Sequence, residues 1–379
     1  MAKKKVLVFI DWYLPGFKAG GPIQSVANLI SHLRDEFEFY VVTRDTDYCE
    51  TKPYSIVQSN SWNNIDGIKV FYFSKENLKR RNIVKLINDT EFDVAYLNGI
   101  FSIPFTLIPL YYLKKKNKKI VVAARGMFAA SALNVKKSKK RLFLFGANFL
   151  QLFRGVLFHA TNEREKKDIE IALGANATAR VAGNLGAKPE LTAPPSRTKS
   201  GGELKLVNIA RISPEKNLLY ALNVLARVKG NVLFDIYGPV YNQNYWIECQ
   251  NVISQMPANI KVNYKGSLEA EKVPSAFSDY HSLFMPTRGE NFGHIIMQAM
   301  ATGCPVIISD QTPWRNLEEK KAGWDLPLSG ESDFVELIEK CVQMKQEVYR
   351  EISLGSFEYC KEYISNPVHI KQNRELFIV

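Results

Sequence analysis

Two α/β domains, each wound around its own parallel sheet, are the fold class that the sequence predicts, and three observations predict it. Short apolar runs alternate with helical patterns almost from end to end of the 379 residues. The runs are nearly continuous in Val, Ile and Phe rather than alternately apolar and polar, which marks strands covered on both faces. The alternation breaks once, around residues 186–203, in "GAKPELTAPPSRTKSGG", and then restarts. A chain of this length also exceeds one ordinary core. The expected division is a first domain at 1–187, a linker at 188–203 and a second domain at 204–366, with a helix at 367–379 packing back on the first.

The elements follow in order. "KVLVFI" is the first strand, and "PIQSVANLISHL" a helix with Pro22 at its start. "FEFYVVT", "IKVFYF", "FDVAYLNG", "KIVVAARG" and "VLFHAT" complete the first set of strands. The helix after "VLFHAT" opens at Asn162 with Glu165 three residues on, a capping box. Past the break come "LKLVNIA", "NVLFDIYG", "NIKVNY", "HSLFMPT" and "PVIISD". Two such domains are expected to face each other across a cleft, with ligands beyond the carboxyl ends of the strands.

Composition bounds the function. Hydrophobic residues make up 46% and charged residues 23%, as in a globular protein. The five cysteines are scattered without Cys-x-x-Cys, which argues against a disulfide framework or zinc site and fits a reducing compartment. The apolar run after the basic N-terminus is too short for a signal peptide. No run reaches the roughly 18 residues of a membrane span. A net charge of +12 favours anionic partners: nucleic acid, an anionic lipid surface or phosphorylated ligands. Basic residues cluster at Lys114–Lys119 and Lys136–Arg141, where solvated helix ends are the bland reading.

Three constellations carry chemistry. In "NIARISPEKN", Arg211 follows a strand, Ser213 and Pro214 suit a helix start, and Lys216 lies in the first turn. Cations beside a helix N-terminus make sense if an anion such as a diphosphate binds between them; otherwise Glu215 neutralises the turn and both are solvated. In "PTRGENFGHIIMQAMATGCPV", Glu290 precedes a helix expected to start at Phe292 or Gly293. A carboxylate there repels phosphate but accepts hydrogen bonds from sugar hydroxyls. Asn291, His294 and Gln298 form one polar stripe, lining either a cleft or a partly exposed face. In "DWYLPGFKAGGPIQS", Gly20 and Gly21 allow close backbone approach, or make an ordinary turn.

These stretches, with "SDQTPW", "GPIQSVANLISHL", "ARGMFAASAL" and "FHATNEREKKDI", resemble the retaining glycosyltransferases of the GT-B fold, family four. They are most similar to the bacterial type that builds lipopolysaccharide, capsule and exopolysaccharide. The resemblance covers nearly the whole chain and implies two Rossmann-like domains. It implies that Arg211 and Lys216 hold the donor diphosphate and stabilise the leaving group, while Glu290 contacts the transferred sugar. Asn291, Phe292 and Gly293 complete that contact, and Gly20 and Gly21 lie beside phosphate and acceptor. The second Glu of the family's Glu-x7-Glu pair, which usually holds ribose, falls at Gln298, which keeps an acceptor oxygen without the charge.

Weaker candidates at first-domain strand ends are Asn98 and Arg125, on the acceptor or phosphate side, together with His294. His159 reads as structural. The reading places no Asp-x-Asp pair near a strand end and expects no metal or other cofactor.

The expected function is transfer of a hexosyl group from a nucleotide-diphosphate sugar, UDP rather than GDP, with retention. The acceptor is a glycan or lipid-linked saccharide, and no nucleic acid is involved. The place is the cytoplasm, with peripheral contact at the inner face of the membrane through the basic, aromatic "KKSKKRLFLFGANFLQLFRGVLF". The alternatives are a nucleotide-sugar 2-epimerase or another enzyme on the same scaffold, or a basic membrane or nucleic-acid binding module.

Overall fold

The computed structural model describes residues 3–129, 137–174, 177–187 and 194–378, with the side chains of 137–141 outside that description. The chain divides into two compact units, Met1–Lys188 with Asn366–Val379, and Pro189–Ser365.

The first unit holds an eight-stranded sheet in the order β3-β4-β2-β1-β5-β6-β7-β8. Its centre is β1 (Lys4–Phe9), between β2 (Phe37–Arg44) and β5 (Val94–Asn98). Beyond β5 lie β6 (Lys119–Ala123), β7 (Leu157–Ala160) and β8 (Thr178–Val181); beyond β2 lie β4 (Ile68–Phe73) and β3 (Trp62–Ile65). Successive side chains of β1 enter opposite layers: Leu7 and Phe9 one core, Val6 and Val8 the other. That two-sided burial explains the continuous apolar runs. Leu376 and Phe377, on the helix Pro367–Ile378, are fully buried in the second of these layers. There Phe377 packs against Phe37, Phe39 and Tyr96.

One edge is not parallel. β3 pairs antiparallel with β4 through a turn in which Asp66 and Gly67 both have positive φ. An Asp-Gly turn of that kind matches the twist of a hairpin. The four-residue β3 and β8 were absent from the sequence expectation, because short edge strands carry too few apolar residues to stand out.

The second unit holds a six-stranded sheet, β11-β10-β9-β12-β13-β14, parallel at every pairing. Its strands are β9 (Glu203–Ile209), β10 (Asn231–Tyr237), β11 (Ile260–Tyr264), β12 (Ser282–Met285), β13 (Val306–Ser309) and the unforeseen β14 (Gly323–Leu326). Phe284 and Ile307 face one apolar layer, while Leu283, Met285, Val306 and Ile308 face the other.

The stretch that leads into β9 is packed, not loose. Arg197 is buried and donates to the carbonyls of Phe277, Thr302 and Gly303. Lys199 is buried among the carbonyls of Ser200, Glu203, Val342 and Met344. Carbonyl cages solvate such cations without any carboxylate, so nothing periodic in the sequence announces them.

All five cysteines are free, and only Cys49 is exposed. Among the described residues no helix is long and apolar enough to cross a membrane. The lysines of 114–119 do more than sit in solvent. Lys114 caps the carbonyls of Gln151 and Leu152, Lys116 that of Ile87 and Lys118 that of Phe92. The basic segment Lys136–Arg141 lies outside the described side chains. The helix that carries it, Lys137–Phe149, leaves Leu142, Phe145 and Phe149 exposed, with Leu150 just past its end. Much of its apolar face is therefore not core.

Candidate functional site

In the second unit the chain runs from β9 to β10 on one side, and later returns to place β12 on the other. The loops after β9 and β12 therefore part at the sheet's switch point, where open α/β sheets take ligands. Both loops hold residues that the sequence marks out, Arg211 and Lys216 in one and Glu290 in the other.

The first loop differs from its expected form. Pro214–Lys216 is a single 3-10 turn, and Ser213 makes no side-chain cap. Asn217 (φ 60°) breaks the turn, and the helix Leu218–Leu225 starts only after it. The left-handed residue leaves Lys216 on a tight turn instead of on a helix, and Asn tolerates that conformation better than most. The second loop ends at Gly293, whose φ of 79° sets the start of the helix His294–Ala301. The positive φ at Gly293 favours glycine, and a Cβ there would lie 2.7 Å from Ile296 Cδ1 and push that side chain aside.

The two loops are laced together. Arg288 N and Thr287 Oγ1 both donate to Glu215 O, at 2.9 and 3.0 Å. Asn217 Nδ2 donates to Pro286 O at 2.9 Å, and Arg288 Nε donates to Asn217 Oδ1 at 3.1 Å. Glu290 N donates to Gln311 O at 3.0 Å, and Trp314 Nε1 to Phe292 O at 2.6 Å. This lacing brings Lys216 Nζ into an ion pair with Glu290 Oε1, and the two side chains are only 19% and 12% exposed.

Lys216 and Glu290 thus share one place. The sequence had assigned them separately, to phosphate and to sugar, because 74 residues hide their contact. Arg211 is exposed five residues upstream, its guanidinium 5.6 Å from the centre of the Tyr241 ring. It bonds to neither Lys216 nor Glu290.

The remaining residues of this loop and helix differ in their fates. The amides of Phe292 and Gly293 donate to no described acceptor. Asn291 is half-buried, just ahead of the helix. His294 is buried edge-on against Phe292, with ring centres 4.7 Å apart. Gln298 is half-buried and makes no hydrogen bond to a described residue. The polar stripe is therefore mostly enclosed, and His294 contributes packing to it.

In the first unit, Gly20 (φ 73°) caps the helix Gly21–Leu33, and Gly21 is exposed at its first position. Nothing lies within 4 Å of a Cβ built at Gly20. Asp47, buried in the loop after β2, holds the preceding turn by accepting from the amides of Phe17 (3.0 Å) and Lys18 (3.2 Å). This corrects the expectation about acidic pairs, since Asp45-Thr46-Asp47 follows β2 directly. Its members are buried and engaged, however, because Asp45 also accepts from Ser59 Oγ at 2.6 Å.

Asn98, at the end of β5, and Arg125, just past β6, do meet. Arg125 (φ 52°) donates to Asn98 Oδ1 at 2.8 Å, Asn184 Oδ1 at 2.6 Å and Tyr96 Oη at 2.8 Å. All three of these partners are neutral. His159 is structural: its ring bonds Tyr96 Oη and Ala182 O, and burial, with help from Arg125, pushes its pKa down to about 3. The cap at Asn162 exists, since its side chain accepts from Glu165 N. The box does not close, because the Glu165 carboxylate turns to the amides of Gly126 and Thr161.

Comparison with known proteins bears on the fold of the chain. Residues 191–353 match the family model described as Glycosyl transferases group 1. An uncharacterized 41.2 kDa protein in the cps region of Klebsiella pneumoniae is 22% identical over 303 residues, covering 75% of this chain and 77% of that protein. The structure of HepE from Anabaena in complex with UDP and glucose superposes with a TM-score of 0.72 at 15% identity, over 98% of both chains. That of a point mutant of S. aureus TarM, a complex containing UDP, superposes with a TM-score of 0.70 at 14% identity. It covers 99% of this chain and all of that one. At such identities the superpositions establish the GT-B architecture alone.

Proposed function

We propose that this chain, a glycosyltransferase of GT-B fold with a group 1 glycosyltransferase domain in its second unit, transfers a hexosyl group from a UDP-sugar to a saccharide acceptor. The observation that carries the reading is the enclosed Lys216–Glu290 pair at the switch point of the second sheet. A diphosphate leaving group develops negative charge, and a preorganised cation lowers that barrier. When the diphosphate takes Lys216, the Glu290 carboxylate is released to accept hydrogen bonds from hexose hydroxyls. The amides of Phe292 and Gly293 supply further donors, and Arg211 swings from Tyr241 to the phosphates.

Gln298 reaches the ribose without a charge. Gly20 and Gly21 allow the backbone to approach the donor closely, and Arg125 takes an anionic group of donor or acceptor. Two cations replace a metal in neutralising the leaving group, so the reaction runs without a divalent ion, and the family resemblance supports retention at the anomeric carbon. UDP as the carrier is supported by the Anabaena complex, and a role in capsule-type surface polysaccharide by the Klebsiella relative. The exposed apolar face of the Lys137–Phe149 helix supports peripheral docking on the cytoplasmic face of an anionic membrane.

A thermal-shift screen against UDP, GDP and ADP tests the donor, because a ligand that binds the native state raises its melting temperature. UDP should give the largest shift, it should persist in EDTA, and Lys216→Ala should abolish both the shift and transfer. Retention of both in that variant refutes the assignment.

A further inference from the structure

The first sheet also has a switch point. β2 lies on one side of β1 and β5 on the other, so the loops after β1 and β5 diverge there. Three strands send polar side chains to that place. Asp11 follows β1, Arg44 ends β2, and Ser102 lies in the loop after β5. Asp11 Oδ1 accepts from Ser102 Oγ at 2.9 Å and from Arg44 Nη2 at 3.2 Å. Asp11 Oδ2 accepts from no described residue, although the side chain is only 21% exposed. The Arg44 guanidinium lies 5.4 Å from the Trp12 ring centre and 5.2 Å from that of Phe105, and its Nε is enclosed without a partner. Trp12 is half-buried and meets Tyr48 edge-on at 4.8 Å. The loop that carries it is fixed by the Asp47 bracket described above.

We propose that Asp11, Arg44, Ser102 and Trp12 form a binding site for a neutral sugar ring of the acceptor glycan. The open carboxylate oxygen accepts from sugar hydroxyls, and Arg44 supplies donors. Ser102, whose proton is held by Asp11, fixes that carboxylate in place. The exposed part of the half-buried indole takes the apolar C–H face of the ring. An anionic group is disfavoured here, because Arg44 is already neutralised and the open atom is itself a carboxylate oxygen. Arg125, with neutral partners, differs in that respect. The sequence offered no signal for this group, whose members are spread over residues 11–102 and match no spacing pattern. The inference rests on the reading of the chain as a transferase acting on saccharides.

The test uses the full chain and the methyl α-glycosides of glucose, galactose and N-acetylglucosamine, observed by saturation-transfer NMR, with the UDP thermal shift measured on the same samples. At least one glycoside should receive saturation from the wild-type protein. Asp11→Asn, which keeps the shape and the Ser102 contact, and Trp12→Ala should each weaken that binding about tenfold or more. Both variants should retain the UDP shift, which shows that they fold. Unchanged glycoside signals in both variants overturn the proposal, as does the absence of signal from the wild type with all three glycosides. Loss of glycoside binding in the variants together with no UDP shift in the wild type would uphold this site and refute the donor assignment instead.

Discussion

Replacing Glu290 with Gln should weaken the empty protein while tightening its hold on UDP. The Lys216–Glu290 pair is mostly enclosed, at 19% and 12% side-chain exposure. Breaking a fully buried pair from one side costs about 3–5 kcal/mol, whereas an exposed pair is worth about 1 kcal/mol or less. An intermediate figure of about 2 kcal/mol fits this degree of burial, and in a domain of this size it corresponds to a fall of about 4–8 °C in melting temperature. A diphosphate restores the missing counter-charge without having to displace a carboxylate. The whole 2 kcal/mol would correspond to roughly 30-fold in affinity. Because water partly compensates the released Glu290 carboxylate in the native protein, about tenfold is the expected gain. Calorimetric titration with UDP measures it, and transfer by the variant should be lost with the sugar contact. Equal or weaker UDP binding by Glu290→Gln would falsify the idea that carboxylate and diphosphate compete for one ammonium group.

Other perturbations probe the frame. His159 and His281 are buried, and desolvation pushes their pKa values down to about 3 and about 4. Folded values below the unfolded value of about 6.5 mean that their stabilisation is complete above that pH and is lost as pH falls towards about 4 for His281 and about 3 for His159. Melting temperature should drop over that window with net proton uptake on unfolding, and His159→Gln should flatten the slope. Gly293→Ala should cost about 1–2 kcal/mol, since the residue has positive φ and the added methyl meets Ile296; an unchanged melting curve would contradict the geometry. Phe145→Glu with Phe149→Glu should abolish flotation with anionic liposomes while leaving the UDP shift intact, and equal flotation would remove the case for docking through this helix.

Most of the central strands were legible because two-sided burial writes itself into the chain as uninterrupted Val, Ile and Phe. β8 and β14 were not legible, since four residues at a sheet edge give no such run. The hairpin at Asp66-Gly67 was announced by its turn dipeptide and went unread among the parallel strands. In the site, the types and positions of Arg211, Lys216 and Glu290 pointed to anion and hydroxyl chemistry. The pairing of Lys216 with Glu290 was invisible, because a contact between residues 74 apart depends on which strands become neighbours. The cations at 197 and 199 were hidden for another reason: carbonyl oxygens belong to every residue, so no composition marks a segment that will be held by them.

The placement of Phe377 bears on how the protein is made. The β-strands of the first unit leave the ribosome early, but the layer formed by Phe37, Phe39 and Tyr96 is closed by a helix at residues 367–378. Domains are usually completed during synthesis in the order they emerge. Here that layer, although already packed by Ile23, Val26, Leu29 and Leu33 of the helix Gly21–Leu33, lacks Leu376 and Phe377 while all of the second unit is translated. That layer should therefore reach its full packing only when the helix Pro367–Ile378 has emerged.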